Sequence, residues 1–369
     1  MPVYLKHIGF SVLLIGILEG IAEAVAGLSK GYFGKLSDTL GKRVPFVQWG
    51  YSLSAAAKPL MAAFTYPLWI FFVRTIDRTG KGLRTGARDA LLSDETSEAH
   101  KGRVFGFHRS MDTFGAVLGP LAALVFLYYY PGQYRLMFIL AFIPAIFGVG
   151  ITFILKEKKN IRGTADNKAS YNFFSFVGYW KDSPKAYRRL VSGLLAFALV
   201  NSSDVFLLLM LKANGLTDVQ LILVYIFYNI IYALTSYPIG IVADRLGLWE
   251  TLFAGLFLFA GVYAGMAFVH PVSLFLLLFA VYGIYAAATE GISKALISNI
   301  SDRKDTATAI GTYSAFNSLA TLMSSSLAGF IWFTWGPKTL FLFAALGSVA
   351  VVLYLIMARR RILRSSVAA

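Results

Sequence analysis

Apolar positions along this chain come in long, nearly unbroken runs, and polar positions gather in the short stretches between them. The runs predict eleven helical spans, at roughly 8–33, 45–64, 67–91, 104–129, 134–155, 188–211, 218–241, 250–269, 272–296, 307–332 and 338–358. A run of about 20 residues matches a ~30 Å hydrocarbon core at 1.5 Å rise per residue. In lipid every backbone amide needs an internal partner, so these runs are helices. The one long polar connection, Lys156 to Arg189, carries Lys156, Lys158, Lys159, Arg162, Lys168, Lys181, Lys185, Arg188 and Arg189. The expected organisation is a bundle over 1–155 with five visible spans, a basic linker over 156–187 and a bundle over 188–369 with six.

The polar turns repeat. Gly34-Lys35-Leu36-Ser37-Asp38-Thr39-Leu40-Gly41-Lys42-Arg43 returns 206 residues later as Gly240-Ile241-Val242-Ala243-Asp244-Arg245-Leu246-Gly247. Ala90–Asp94 aligns with Ala295–Asn299 at a spacing of 205, which places Gly106 on Gly311 and Asp112 on Asn317. Duplicated turns between apolar runs indicate one transporter half copied to make two. The offset leaves the span at 188–211 without a counterpart, so a first helix is expected to be missing ahead of Ile8.

Composition sharpens the class. Hydrophobic residues make up 57% and charged residues 14% of 369 residues, and the mean hydropathy is +0.65. A soluble protein of this size could not solvate such a surface. The net charge of +15 suggests a nucleic-acid partner only until the basic residues are placed. They fall in alternate connections: Lys35, Lys42, Arg43, Lys101, Arg103, the linker, Arg245, Arg303, Lys304 and Arg359-Arg360-Arg361. By the positive-inside rule that side is cytoplasmic, as is the C-terminus. The expectation is a multi-pass protein of the cell's inner (cytoplasmic) membrane that is monomeric and binds no nucleic acid. Cysteine is absent, which excludes disulfides and thiolate metal sites.

Three motifs resemble the major facilitator superfamily, over essentially the whole chain. Its inner-loop motif matches Gly34, Asp38, Gly41, Lys42 and Arg43, and the second copy matches Gly240, Asp244, Arg245 and Gly247 without the trailing basic pair. Arg74-Thr75-Ile76-Asp77-Arg78-Thr79-Gly80 is a degenerate form of the fourth-helix motif, departing from it at Asp77 and Arg78. Gly115-Ala116-Val117-Leu118-Gly119-Pro120 matches the fifth-helix motif, which in that family is associated mainly with exporters. The resemblance implies an all-α polytopic fold of two pseudo-repeated six-helix bundles around a central cavity, with eleven of twelve helices present here. It names no substrate.

Charges within spans are the candidate chemistry, because each costs about 2.5–3.5 kcal/mol at the bilayer centre unless paired or wet. Glu19, Glu23, Arg74, Asp77, Arg78, Arg109 and Asp112 form the candidate proton-coupling and charge network. Glu19 and Asp77 lie about 16 Å and 15 Å in from the starts of their runs, near the midplane. Three readings stay open: carboxylates that load and release protons, a static ion-pair network, and recognition of an anionic substrate by the arginines. Gly34, Asp38, Gly41, Arg43, Asp244 and Arg245 are the expected inner gate, in which a carboxylate near a helix terminus and a basic residue lock two helices. Gly115, Gly119 and Pro120 are the expected packing motif. Asn201, Asp204, Tyr228, Asn229 and Tyr232 are candidates to line the substrate cavity.

No nucleophile–base pair, phosphate-cradling loop or metal-spaced cluster is present, so no enzyme activity, cofactor or metal is expected. The reading is a secondary transporter of a small organic solute by alternating access, working as a proton-coupled exporter. The alternatives are a proton-coupled importer of an organic anion and a membrane receptor that moves nothing.

Overall fold

The computed structural model describes residues 2–157, 172–269 and 271–367, and every regular element among them is helical. Lys158, Lys159, Arg162 and Lys168 of the basic linker lie outside the described residues. The helices are α1 (Pro2–His7), α2 (Val12–Leu40), α3 (Val44–Ala63), α4 (Pro67–Asp94), α5 (Lys101–Tyr129) and α6 (Tyr134–Thr152). There follow α7 (Ser175–Asp182), α8 (Lys185–Val200), α9 (Asp204–Ala213), α10 (Asp218–Leu246), α11 (Leu248–Phe268), α12 (Val272–Ile300) and α13 (Thr306–Val367).

Local chemistry sets the boundaries. Ser11 caps α2 by accepting the Leu14 amide, and Thr217 with Gln220 forms a reciprocal capping box on α10. Gly41 ends α2 at φ +62° and Gly247 ends α10 at φ +117°, a region that an L side chain rarely adopts. These two glycines are the same position of the duplicated turn.

Two spans differ in detail from expectation. The run at 188–211 is interrupted: α8 stops at Val200, and Ser203 caps a new helix, α9, through the Val205 amide. Asn-Ser-Ser-Asp is a helix-start signature inside an apolar run, and it prevails over the hydropathy. Conversely, α13 runs 62 residues but breaks at Gly336, φ +83°, ahead of Pro337, which divides it into the two predicted spans. Seven helical runs among the described residues are long and apolar enough to cross a membrane, α13 being one of them. α2, α3 and α4 reach 29, 20 and 28 residues and are set apart by the polar, small or charged residues they carry. With α13 counted as two, the eleven expected spans are all represented by helices.

The chain forms two compact units. The first comprises Met1–Leu91, Pro120–Asp182 and Asp302–Leu319; the second comprises Leu92–Gly119, Ser183–Ser301 and Ala320–Ala369. In the first, Tyr4 and Leu5 of α1 pack with Leu18, Ala57, Met61, Ile70 and Val73, flanked by Tyr134 and Phe138. In the second, Phe197, Phe259, Tyr263 and Tyr285 interlock, with Phe259 and Tyr263 stacked at 4.0 Å. Apolar side chains also cover the outside: Leu68, Phe147, Phe333 and Leu346 are each at least two-thirds exposed. A surface of that kind is solvated by lipid, not by water.

Candidate functional site

The charged residues of the spans gather in two clusters. In the first unit Arg74 on α4 reaches Glu19 on α2, its Nη2 donating to both carboxylate oxygens at 2.6 and 2.7 Å. Arg74 Nη1 lies 3.5 Å from Asp77, which also takes Lys58 Nζ at 3.4 Å. Arg78 completes the set, 3.6 Å from Glu19 and 3.2 Å from Glu23. These residues meet because each helix carries its charges on one face: Glu19 and Glu23 are four apart on α2, and Arg74 and Arg78 are four apart on α4. The pairs are not sealed. The Glu19 side chain keeps 28% exposure and Glu23 52%, so neither carboxylate is fully enclosed by protein.

Arg109 and Asp112 belong to the second unit, where they have partners of their own. Arg109 on α5 pairs with Glu290 on α12, donates its Nε–H to the Tyr232 hydroxyl on α10, and lies 3.3 Å from Asp112. Its guanidinium sits 5.2 Å above the Tyr232 ring. The seven expected residues therefore fall five in the first unit and two in the second, and Glu290 is a further partner of Arg109. Its own signal was legible, since Glu290 is an acid within an apolar run.

The expected gate residues assemble at the turns. Arg43 Nη1 pairs with Asp38, and both are buried. Asp38 Oδ2 also accepts the Thr308 backbone N–H and, at 2.6 Å, the Thr308 hydroxyl, at the first turn of α13. In the second copy Asp244 accepts the Gly102 N–H at 2.7 Å and the Arg103 N–H at 3.0 Å, at the first turn of α5. Each aspartate thus places a negative charge at the positive end of a helix macrodipole. Arg245 is exposed and lines a cavity of about 360 Å³ with His100, Arg103 and Asp244. Glu157 was not anticipated: it accepts the Arg43 and Val44 amides at 2.9 and 2.8 Å and so caps α3. Burial lifts the Asp38 carboxyl to about 6, against the downward pull of Arg43 and Thr308. Burial likewise pushes the Tyr179 phenol up.

The gate glycines allow backbones to touch. A Cβ on Gly34 would overlap the Ala307 carbonyl, and one on Gly240 would overlap the Gly102 carbonyl. Gly115 and Gly119, in contrast, face open space: a Cβ on either meets no atom within 4 Å. The close approaches of α5 lie at Gly102 and Gly106 instead, against Asp244, Gly240 and Ser236. Pro120 lies within α5 as the motif requires.

Of the five cavity candidates, three come together. Tyr228 lies 5.1 Å from Tyr282 and 6.1 Å from Tyr232, ring to ring, and Asp204 accepts the Tyr282 hydroxyl at 2.7 Å. Asn201 donates to the Tyr285 hydroxyl at 3.1 Å, while its Oδ1 is buried with no donor. Asn229 is turned back onto its own helix, donating to the Tyr225 carbonyl.

Known proteins are similar to this chain in sequence and in fold. A family model for the Major Facilitator Superfamily matches residues 1–212 and 189–367. An MFS-type transporter of Methanocaldococcus jannaschii is 30% identical over 359 residues, covering 96% of this chain and 87% of the relative. The MFS-type transporter YqjV of Bacillus subtilis is 27% identical over 173 residues, 46% of this chain and 40% of that protein. Among solved structures, the Escherichia coli fucose:proton symporter FucP superimposes with a TM-score of 0.77 at 12% identity, covering 97% of this chain and 92% of its own. The human organic anion transporter MFSD10 gives 0.75 at 16% identity, covering 95% and 87%. At those identities the two structures establish the fold alone. The duplicated turns, the helical spans and the family match over both halves agree: this chain is a multi-pass membrane protein of the Major Facilitator Superfamily.

Proposed function

We propose that the protein is a secondary active transporter that moves a small organic solute by alternating access, exchanging it for protons in the direction of efflux. The observation that carries this reading is the Glu19–Arg74 pair. It joins α2 to α4 at mid-span depth and leaves the carboxylate partly exposed. A carboxylate poised between a guanidinium and water changes its proton affinity when the guanidinium moves away, which is what coupling requires. Glu19, Glu23 and Asp77 are the carriers in the first cluster, with Arg74 and Arg78 as counter-charges. Asp112 has the same role beside Arg109.

Asp38 and Arg43, with Thr308, form one lock of the inner gate, and Asp244 with Gly102 and Arg103 forms the other. The bundles 1–155 and 188–369 rock about these locks, with the basic turns and the C-terminus in the cytoplasm and the working unit a monomer. The Gly115–Pro120 motif supports efflux. The anion-importer alternative loses its main support, because Lys58, Arg74 and Arg78 each face a carboxylate.

The test is transport in proteoliposomes under an imposed pH gradient. Glu19→Gln and Asp112→Asn should each abolish the pH-driven component while inserting normally. Unchanged pH-driven transport in both variants would remove the proton role.

A further inference from the structure

Asp204 differs from the other carboxylates of the spans. Glu19, Glu23 and Asp77 face lysine or arginine, and Asp112 and Glu290 share Arg109. Asp204 takes a neutral donor, the Tyr282 hydroxyl, and no cation pairs with it among the described residues. The N-terminus of α9 contributes roughly half a positive charge, less than a carboxylate in a span needs.

Its surroundings are aromatic. Tyr228, Tyr263 and Tyr285 pack around the ring of its partner Tyr282, all buried, with Tyr282 within 5.1 Å of Tyr228 and of Tyr285, ring to ring. The break between α8 and α9 adds the buried, undonated Oδ1 of Asn201. Tyr232, stacked on Tyr228, already carries one cation on its ring face, the guanidinium of Arg109. A deficit of positive charge beside π faces selects a large, weakly hydrated cation, because ring quadrupoles attract it and its desolvation is cheap.

We infer that the second unit binds an organic monocation, with the Asp204 carboxylate as its counter-charge and the Tyr228 and Tyr282 rings as its aromatic wall. This rests on the transport reading, since it names the class of solute carried. The Tyr282 hydroxyl donates to Oδ1 of Asp204 and so ties the carboxylate to the aromatic wall. Asn201 Oδ1 is a further acceptor for a protonated amine.

The experiment is equilibrium binding of tetraphenylphosphonium and tetraphenylborate to the detergent-purified full chain at constant pH. The two ions have the same shape and opposite charge. Phosphonium should bind and borate should not. Asp204→Asn should weaken phosphonium binding at least tenfold. Tyr282→Leu should weaken it more than Tyr282→Phe, which keeps the ring. Equal binding of both ions, no phosphonium binding to folded protein, or full affinity in Asp204→Asn would each overturn the inference. The comparison of the two ions on the unmodified protein decides the charge preference even if a variant does not fold. No gradient is involved, so pH-driven transport left unchanged by Glu19→Gln and Asp112→Asn would defeat the coupling reading and leave this one standing.

Discussion

Asp38 and Asp244, 206 positions apart, perform the same act at opposite ends of the repeat. Each accepts backbone N–H groups at the first turn of a helix from the other sequence half, Thr308 for Asp38 and Gly102 with Arg103 for Asp244. The partners obey the repeat too, since Gly102 and Thr308 are also 206 positions apart. The duplication therefore preserved a contact, although it did not preserve the residues around it. Asp38 has Arg43 beside it, whereas the second copy offers Leu248 and Trp249 where the basic pair would stand.

Removing either cap should weaken one lock. Asp38→Asn and Asp244→Asn are each expected to slow transport without reducing insertion, and to lower stability by about 0.5–2 kcal/mol, the range for losing a helix cap. Membrane abundance and transport rate, measured together, check this. Wild-type transport in Asp38→Asn would show that the lock is not part of the cycle.

The Asp38 carboxyl also sets a pH dependence. Its folded value of about 6 lies above the ordinary 3.8, so the folded protein holds this proton more tightly than the unfolded chain does. The resulting stability is fully present below the ordinary value and is lost as pH rises through about 6. The difference in melting temperature between wild type and Asp38→Asn should shift in favour of wild type as the pH is lowered from 7 to 5. A difference that stays flat over that window would mean that Asp38 does not titrate there.

Arg74 and Glu19 should be energetically coupled. Arg74→Gln leaves Glu19 with only the longer Arg78 contact, at an expected cost of about 1–3 kcal/mol for a charge deprived of its main hydrogen bonds. Partial exposure of Glu19 places the effect toward the lower end. Glu19→Gln in the same chain should recover part of the loss, and a double-mutant cycle read from thermal melts measures how much. Strict additivity would indicate two independent charges.

Glycine substitutions should separate into two groups. Gly34→Ala and Gly240→Ala push a methyl group into a backbone carbonyl, and overpacking of this kind costs about 1–3 kcal/mol. Gly115→Ala and Gly119→Ala point into open space and should leave the melting temperature unchanged or slightly raised. If the second pair nevertheless abolishes transport, their role lies in a conformation other than this one.

What the sequence determined by itself was the local part. Twenty-residue apolar runs demand helices in lipid, whatever they pack against, so the spans were legible. The positive-φ glycines and the repeated aspartates were legible because a turn needs only its own residues. The break at Asn201–Ser203 was missed only because hydropathy was weighed above a capping signature. Partners were a different matter. Helices that are apolar on every side show no stripe to say which face meets a neighbour. Thr308 lies 270 positions along the chain from Asp38, and Glu290 is also far from Arg109 in sequence. Nothing in the local pattern joins them. Tertiary packing alone decided that Arg109 would meet Glu290 and Tyr232 and that Gly102 and Gly106 would make the close approaches of α5. It also left Asp204 bonded to a tyrosine and without a cationic partner among the described residues, because side-chain partnership depends on which helices touch, and that is a property of the assembled bundle.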